Sequence, residues 1–375
     1  MYQFDLSVLE HLVNLNSQTQ NVPGVTAAQK FLGDQFQDLG MSIEWHPNKE
    51  FKSADALIAT FGRGSYVVTL LGHVDTVAKG GEFFPFQKSE EGILQGAGIA
   101  DMKGGLSIMI EALKKVLPCI SDELTIKVVI SPNEEVGSLG FQDLFSAIGK
   151  ESHLVLCFEP ALEDGSIIGG RNGNRWYDFH FTGEKLHTGR APKGSANVLH
   201  QLCELQQVLA THVSDDDKTK FNFTSITTNN EKYNVSSSEA FAKMDLRFAT
   251  LNQREVFHDT IMDWREQSNV SLSYNISDDC PPLANVTGGD IVDELRSKLE
   301  SAESRSLSCL HCEGASDANY FSSPHNIVVD GLGPRGDFFH SRKEYLIEAS
   351  LGNRTHGLVQ FLLDFVEKKP FAFSL

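Results

Sequence analysis

The chain has 375 residues, which is enough for two domains or for one large domain with an insertion. Its content of hydrophobic residues (41%) and charged residues (22%) is typical of a globular protein and excludes a disordered one. The net charge is −18 without a cluster of lysines and arginines, so we expect no nucleic acid and no anionic membrane as partner.

The first part of the chain alternates between predicted helices and strands. In chain order the pattern predicts a helix over 5–15, a helix from Thr26 to Gly40, strands over 54–60 and 66–71, a buried helix after Asp101, a strand over 124–130, a helix near 139–148 and a strand over 154–158. Strands that alternate with helices indicate an α/β layered core.

The pattern changes near Gly173. Alternating residues predict a strand over 176–182, and the order that follows is β-α-β-β-α-β, with helices near 195–212 and 252–266. This order is that of a ferredoxin-like α+β unit. After residue 282 the α/β character returns and ends in an amphipathic helix with apolar residues at Leu358, Phe361, Leu362 and Phe365. We therefore expect one domain formed by 1–173 and 283–375, interrupted by a second domain over 174–282.

A glycine-rich loop presents a single acid. Glycines at 96, 98, 104 and 105 flank Asp101, and an apolar helical run follows. Glycines allow unusual backbone angles, and a helix N-terminus favours a negative charge. Asp101 either caps this helix or serves a site, and the other acids and histidines have to decide between the two.

Acids and histidines also follow the predicted buried strands. His73 and Asp75 follow the strand over 66–71. The Asp75 carboxylate can orient the His73 imidazole through one ring nitrogen while the other ring nitrogen binds a metal. A histidine–aspartate pair with a purely structural role is the alternative. Glu134 and Glu135 follow the next strand, where one can ligate a metal and the other act as general base, unless they form a solvated acidic loop. Glu159 closes a third strand.

The C-terminal part adds His340 after another glycine-rich segment. Together with His340, the set contains two histidines and three carboxylates: His73, Asp101, Glu135, Glu159 and His340. Nitrogen and oxygen ligands of this kind suit a pair of Zn²⁺ ions, for which Co²⁺ or Mn²⁺ are possible substitutes.

Seven motifs in this order resemble the M20 metallopeptidase family and, within it, the glutamate carboxypeptidase group. They are GHVDTV (72–77), GAGIADMKGG (96–105), NEEVGS (133–138), FEP (158–160), HTG (187–189), SDA (316–318) and GPRGDFFHS (333–341). The resemblance implies a zinc-peptidase-like α/β catalytic domain with an inserted lid and dimerisation domain. It also implies a cis peptide bond between Asp101 and Met102.

The resemblance assigns a role to each candidate residue. It implies that His73, Asp101 and Glu159 hold one zinc and that Asp101, Glu135 and His340 hold the other, with Asp101 as the bridge. Glu134 is implied as general base and Asp75 as the partner of His73. On the inserted domain, His187 is implied as an oxyanion donor to the partner subunit of a homodimer, although its local sequence also fits a surface histidine. Asn234 and Arg247 match positions that hold the substrate carboxylate.

The expected activity is hydrolysis of an amide bond next to a free α-carboxylate, as in a carboxypeptidase. An N-acyl-amino-acid deacylase, such as an acetylornithine deacetylase or a succinyl-diaminopimelate desuccinylase, is the alternative, and a metal-binding scaffold without activity is a third. Asn133 departs from the family, which usually has aspartate there, and no basic residues match a glutamate-selective pocket, so the side chain and acyl group of the substrate stay open.

The remaining expectations concern location and cysteines. The N-terminus lacks a signal-peptide pattern and no apolar stretch could span a membrane, so a cytoplasmic protein is expected. Its six cysteines are expected to be reduced. Cys309 and Cys312 form a single C-x-x-C pair whose role the sequence leaves open.

Overall fold

The computed structural model describes residues 3–77, 83–213, 218–283 and 289–368. Its helices are, in chain order, α1 (Ser7–Asn14), α2 (Val22–Asp38), α3 (Gly105–Val116), α4 (Gln142–Glu151), α5 (Val198–Ala210), α6 (Leu251–Gln267), α7 (Asp290–Glu303), α8 (Ala318–Phe321) and α9 (Glu348–Lys368). Its strands are β1 (Ser42–His46), β2 (Ala56–Gly62), β3 (Tyr66–His73), β4 (Gln87–Lys88), β5 (Ile93–Gln95), β6 (Leu124–Ser131), β7 (Leu154–Cys157), β8 (Ile167–Arg171), β9 (Gly173–Thr182), β10 (Lys220–Thr228), β11 (Glu239–Phe248), β12 (Ser271–Cys280), β13 (Cys309–Cys312), β14 (Ile327–Val329), β15 (Gly336–Asp337) and β16 (Tyr345–Ile347).

The chain divides into two compact units. The first comprises Met1–Gly170, Ala284–Cys312 and Ser316–Leu375, and the second comprises Arg171–Leu283 and Glu313–Ala315. In sequence, the second unit therefore interrupts the first.

The first unit is built on a six-stranded sheet with the order β1-β2-β6-β3-β7-β14. β3 runs parallel to β6 and β7, and β14 runs parallel to β7, whereas β2 is antiparallel to β1 and β6. The central strands are nearly continuous apolar runs, as expected for strands buried on both faces. The expected α/β class is confirmed.

The carboxyl ends of three parallel strands meet at one edge of this sheet. His73 ends β3 and is in register with Ser131, which ends β6, while Leu71 is in register with Cys157, which ends β7. The segments that leave these strands therefore start side by side, which is where α/β proteins place their sites.

The helix α3 brings the glycine-rich loop to the same edge. Its apolar residues are buried around the whole circumference, including Leu106, Met109 and Leu113, and each such side chain contributes about 1.5–3 kcal/mol by leaving water. A Cβ atom at Gly105 would lie 2.0 Å from the carbonyl oxygen of Phe158, so only glycine allows α3 to begin this close to the end of β7. The peptide bond between Asp101 and Met102 is cis, as the family resemblance predicts.

The second unit is a four-stranded antiparallel sheet covered by two helices. Its elements follow the order β9-α5-β10-β11-α6-β12, and its strand order is β10-β11-β9-β12. Phe179 and Phe181 of β9 pack with Leu205 of α5 and Ile261 of α6 in a separate core. The ferredoxin-like order expected from the sequence is confirmed.

Some boundaries differ from the expectation. α2 begins at Val22 rather than Thr26, because the side chain of Asn21 accepts a hydrogen bond from the Gly24 amide and Pro23 favours the first helical turn. The short edge strand β1 is not predicted, since its residues are exposed or half-buried and contain no buried apolar run.

Two further findings concern the C-x-x-C pair and membranes. Cys309 and Cys312 both lie on strand β13, where residues three apart point to opposite faces and lie about 10 Å apart, too far for a disulfide or a shared zinc ion. None of the described helices has the length and apolarity needed to cross a membrane.

Candidate metal centre

His73 presents one ring nitrogen to a cluster of acids. Its Nδ1 lies 3.0 Å from the main-chain carbonyl oxygen of Asp75 and 3.4 Å from that residue's carboxylate. The carbonyl can only accept a hydrogen bond, so Nδ1 carries the proton in the neutral ring and Nε2 is left for a metal. The carbonyl therefore sets the tautomer more directly than the carboxylate that sequence reasoning assigned to this task.

The Asp75 carboxylate has a second task that the sequence did not reveal. Its Oδ1 accepts the Glu134 amide at 3.0 Å, and its Oδ2 accepts the Glu135 amide at 3.3 Å and the Thr19 hydroxyl at 2.7 Å. Asp75 is fully buried. It therefore ties the turn that carries both glutamates to the end of β3.

Asp101 faces both histidines. Its Oδ1 lies 3.2 Å from His73 Nε2, and its Oδ2 lies 3.1 Å from His340 Nε2. A carboxylate with one oxygen toward each of two nitrogen ligands has the geometry of a bridge between two cations.

Three glutamates complete the cluster. Glu159 Oε1 lies 3.5 Å from His73 Nε2, and Glu135 Oε2 lies 3.1 Å from His340 Nε2. Glu134 Oε2 is more distant, at 3.9 Å from His73 Nε2. In two groups, His73–Asp101–Glu135 and His73–Glu134–Glu159, the potential ligand atoms all lie within 4.8 Å of one another. Geometry alone therefore also admits Glu134 as a ligand.

The turn over 131–139 has its own support. The Ser138 hydroxyl donates to Asp317 Oδ1 at 2.6 Å, and the Ser131 and Ser138 hydroxyls are 2.8 Å apart. Asn133 stands where the family usually has aspartate. Its side-chain Nδ2 donates to the Leu139 carbonyl at 3.1 Å, and its main-chain carbonyl accepts the Ser138 amide. The asparagine thus holds the turn closed.

Glu344 is a further residue that sequence reasoning missed. Its carboxylate is buried and accepts three main-chain amides of the glycine-rich loop, those of Gly98, Ala100 and Asp101, at 2.9–3.1 Å. The only sequence feature that pointed to Glu344 is its position four residues after His340.

The acids and histidines shift each other's pKa. Burial acts to raise the pKa of Asp101, but the hydrogen bonds from His340 and His73 hold it well below its usual range. Hydrogen bonds to Asp101 and Glu135 raise the pKa of His340 to about 10. Burial raises the pKa of Glu159 to about 8 and that of Glu134 well above its ordinary value. Burial thus favours the neutral form of Glu134 and Glu159 more than exposure to water would.

The residues fit a divalent cation. Four carboxylates and two imidazole nitrogens converge. Glu135 Oε1 is buried and has no hydrogen-bond partner among the residues that the structure describes, although its other oxygen contacts His340. A buried acceptor without a partner is costly unless a cation or a donor reaches it. Imidazole nitrogens with carboxylate oxygens are ligands that Zn²⁺ accepts.

The second unit carries the other three candidate residues. His187 and Asn234 lie together, since Asn234 Nδ2 is 3.4 Å from His187 Nε2. The Gly189 amide donates to His187 Nδ1 at 3.2 Å, and a proton on Nε2 of the neutral ring then requires Asn234 to turn its amide oxygen, rather than Nδ2, toward Nε2. Arg247 is on β11, where its Nε donates to Asp245 at 3.0–3.1 Å; no hydrogen bond within the described residues joins it to His187 or Asn234.

The sequence profile of peptidase family M20/M25/M40 matches residues 69–364, which contain every candidate residue of this centre. The chain belongs to this family. The M20 enzymes are metal-dependent peptidases and amidohydrolases, and the chain is a hydrolase of this type. The resemblance stated from the motifs is thereby confirmed.

Individual M20 relatives differ in their reactions. Carboxypeptidase G2 of Pseudomonas sp. strain RS-16 is 28% identical, with 96% of this chain and 88% of the relative covered. Succinyl-diaminopimelate desuccinylase of Hydrogenovibrio crunogenus is 24% identical, with 90% and 93% covered. The structure of a tripeptidase from Staphylococcus aureus superposes with a TM-score of 0.76 at 17% identity, covering 97% of this chain and 98% of that one. At that identity the likeness shows the fold alone.

Proposed function

We propose that this M20 protein is a di-zinc hydrolase that cleaves an amide bond next to a free α-carboxylate. The observation that carries the proposal is the placement of the Asp101 oxygens, one toward His73 and the other toward His340. A single carboxylate between two histidines is the arrangement that a two-metal centre needs.

The ligands divide into two sets around Asp101. His73, Asp101 and Glu159 would hold one Zn²⁺, and Asp101, Glu135 and His340 would hold the other. The division is supported by contacts, since Glu159 lies by His73 and Glu135 lies by His340. Zn²⁺ in such a centre supplies Lewis-acid polarisation of the scissile carbonyl and of a water molecule.

Glu134 is the proposed general base. Of the four carboxylates in the cluster, that of Glu134 is the farthest from a histidine. Its main-chain amide is bound by Asp75, which keeps the side chain close to the proposed metal ligands although it is not one of them. Burial raises its pKa, which makes its carboxylate a stronger base that can take a proton from the attacking water and return it to the leaving amine.

His187, Asn234 and Arg247 are proposed to contact the substrate. His187 Nδ1 accepts the Gly189 amide, so Nε2 is the ring nitrogen whose proton would be donated to an oxyanion. The Nε of Arg247 is held by Asp245, and its two terminal amino groups have no hydrogen-bond partner within the described ranges. A guanidinium group with a free edge is suited to bind a carboxylate.

Two reactions remain to be separated. One relative is a carboxypeptidase and another a desuccinylase, and both names fit attack on an amide that adjoins an amino acid. We place peptide hydrolysis first and deacylation of an N-acyl amino acid second. Exposed Phe338 and Phe339 directly precede His340, so aromatic and apolar substrates belong in the test beside acidic ones.

The test uses protein loaded with Zn²⁺, with metal content measured, and a panel of dipeptides and N-acyl amino acids. Each substrate has a counterpart whose α-carboxylate is converted to a carboxamide. We expect hydrolysis only with metal and only of the free carboxylates, and the better substrate class decides between the two reactions. If protein with two bound metals turns over no member, the proposed substrate class is wrong and the scaffold alternative is favoured. Equal rates on the carboxamides would contradict carboxylate recognition.

The proposal includes a homodimer in which His187 serves the partner's centre. Mixing a His187→Ala chain with a Glu134→Gln chain should restore activity, because one centre in each mixed dimer keeps both residues. Random exchange in a two-fold dimer gives about a quarter of the wild-type turnover. Mixtures that stay inactive, although exchange of labelled chains is demonstrated, would exclude action of His187 across the dimer.

A further inference from the structure

Glu344 is a buried carboxylate outside the proposed ligand set. Only 2% of its surface is exposed, and its oxygens face the main chain of the glycine-rich loop. Oε2 accepts the Gly98 amide at 3.1 Å, and Oε1 accepts the amides of Ala100 at 2.9 Å and Asp101 at 3.1 Å. Three converging amides form a nest that suits the two oxygens of a carboxyl group.

The position of Glu344 links two segments that carry bridging contacts. β5 and β16 pair antiparallel, and their register places Tyr345 opposite Gln95. Just beyond this end of the ladder, one chain continues into the loop that ends at Asp101, and the other comes from His340. Glu344 closes the gap between them, since it stands next to Tyr345 and binds the loop that follows Gln95.

A buried lysine holds the other side of the same loop. Lys103 is fully buried, and its ammonium group donates to the carbonyls of Ala97 at 3.2 Å and Leu15 at 3.1 Å. The loop is thus held through its amides by Glu344 and through a carbonyl by Lys103. Gly98 has a φ of +68°, a conformation that such fixed contacts can select.

We propose that Glu344 is a positioning residue that holds the Asp101 carboxylate in its bridging orientation. It does so by tying the Gly98–Asp101 main chain to the segment that carries His340. This inference rests on the proposed two-metal function, because the bridge is what the position of Asp101 serves.

The decisive variant is Glu344→Gln, which keeps the size of the side chain. Its amide nitrogen cannot accept a hydrogen bond, so at least the Gly98 contact or the Ala100 and Asp101 pair must be lost. Glu348→Gln is the matched control, because it removes the same charge four residues later from an ion pair with Lys88.

Metal affinity is measured by competition with a chromophoric chelator, and the visible spectrum of the Co²⁺-loaded protein reports ligand geometry. For Glu344→Gln we expect 10- to 100-fold weaker binding, the loss typical of a group that orients a ligand, and an altered Co²⁺ spectrum. Glu344→Asp keeps the charge and should recover part of the affinity. The control should match the wild type in both readouts.

Amide hydrogen exchange of the metal-free protein tests the role of Glu344 without a metal-binding measurement. The peptide over 96–101 should exchange slowly, and in Glu344→Gln this peptide alone should exchange faster. Wild-type affinity and spectrum in a folded Glu344→Gln protein, or fast exchange of 96–101 in the wild type, would overturn the role of Glu344. A wild type that binds no metal would instead refute the two-metal function on which the role rests.

Discussion

Glu134 and Glu135 are neighbours in one turn, yet the proposed mechanism gives them different tasks. Glu135 Oε2 lies 3.1 Å from His340 Nε2, whereas Glu134 Oε2 lies 3.9 Å from His73 Nε2. Both amides are held by Asp75, so exchange of either carboxylate for an amide leaves the turn anchored. Glu134→Gln and Glu135→Gln therefore test the chemistry of the side chains with little change of fold.

The expected magnitudes follow from the two tasks. Loss of a general base lowers kcat about 10²- to 10⁴-fold, which corresponds to about 3–5 kcal/mol of activation free energy. Glu134→Gln should show this loss with both metals retained. Glu135→Gln removes a proposed ligand and should therefore lower the metal content itself, toward one ion per chain.

The assay combines elemental analysis of dialysed protein with kcat measured at saturating substrate and metal. The competing arrangement is the group His73–Glu134–Glu159, in which Glu134 is itself a ligand. If Glu134→Gln loses metal as Glu135→Gln does, that arrangement is correct and our division of tasks is wrong. Turnover within tenfold of the wild type in metal-loaded Glu134→Gln would equally refute its role as base.

Two further predictions concern protons and buried charge. The pKa of His340 is raised to about 10 and that of Glu159 to about 8, so both side chains carry protons at pH 7 without metal. Metal binding should release these protons, and the metal affinity should therefore increase as the pH rises. Binding heats measured by calorimetry should depend on the ionisation enthalpy of the buffer, and heats that are independent of the buffer would contradict proton release. The Glu303 carboxylate lies 3.4 Å from Nε of fully buried Arg354 and 3.2 Å from Nε of Arg335. Glu303→Gln should lower the free energy of unfolding, measured in denaturant, by about 3–5 kcal/mol, because it leaves a buried cation without its partner. A loss below about 1 kcal/mol, the size expected for an exposed pair, would show that the fold does not need this ion pair.

Much of the fold was predictable because burial leaves a local signal. The runs around Val68 and Val128 are apolar on both strand faces, and the acids that follow them break the pattern abruptly. Since parallel strands end at a common edge, those breaks predict that the polar residues after these strands share one site. The β-α-β-β-α-β order was visible for the same reason, as alternation in β9 reports a sheet with one covered face.

Other features depend on contacts between distant residues and leave no such signal. The antiparallel placement of β2 between β1 and β6 is set by pairing across the sheet. The start of α2 at Val22 rather than Thr26 has a local cause instead, since the cap by Asn21 and Pro23 together outweigh the weaker threonine signal. The bond between Thr19 and Asp75 joins residues 56 positions apart.

The contacts that sequence reasoning missed share one physical purpose. Four acids that converge on one centre repel each other, and the raised pKa values of Glu134 and Glu159 report the cost of burying them together. The chain resists this repulsion with carboxylates that bind main-chain groups instead of a metal. Asp75 accepts the amides of the turn with the two glutamates, and Glu344 accepts three amides of the Asp101 loop. These two loops are therefore ordered by hydrogen bonds of their own, independently of a bound metal.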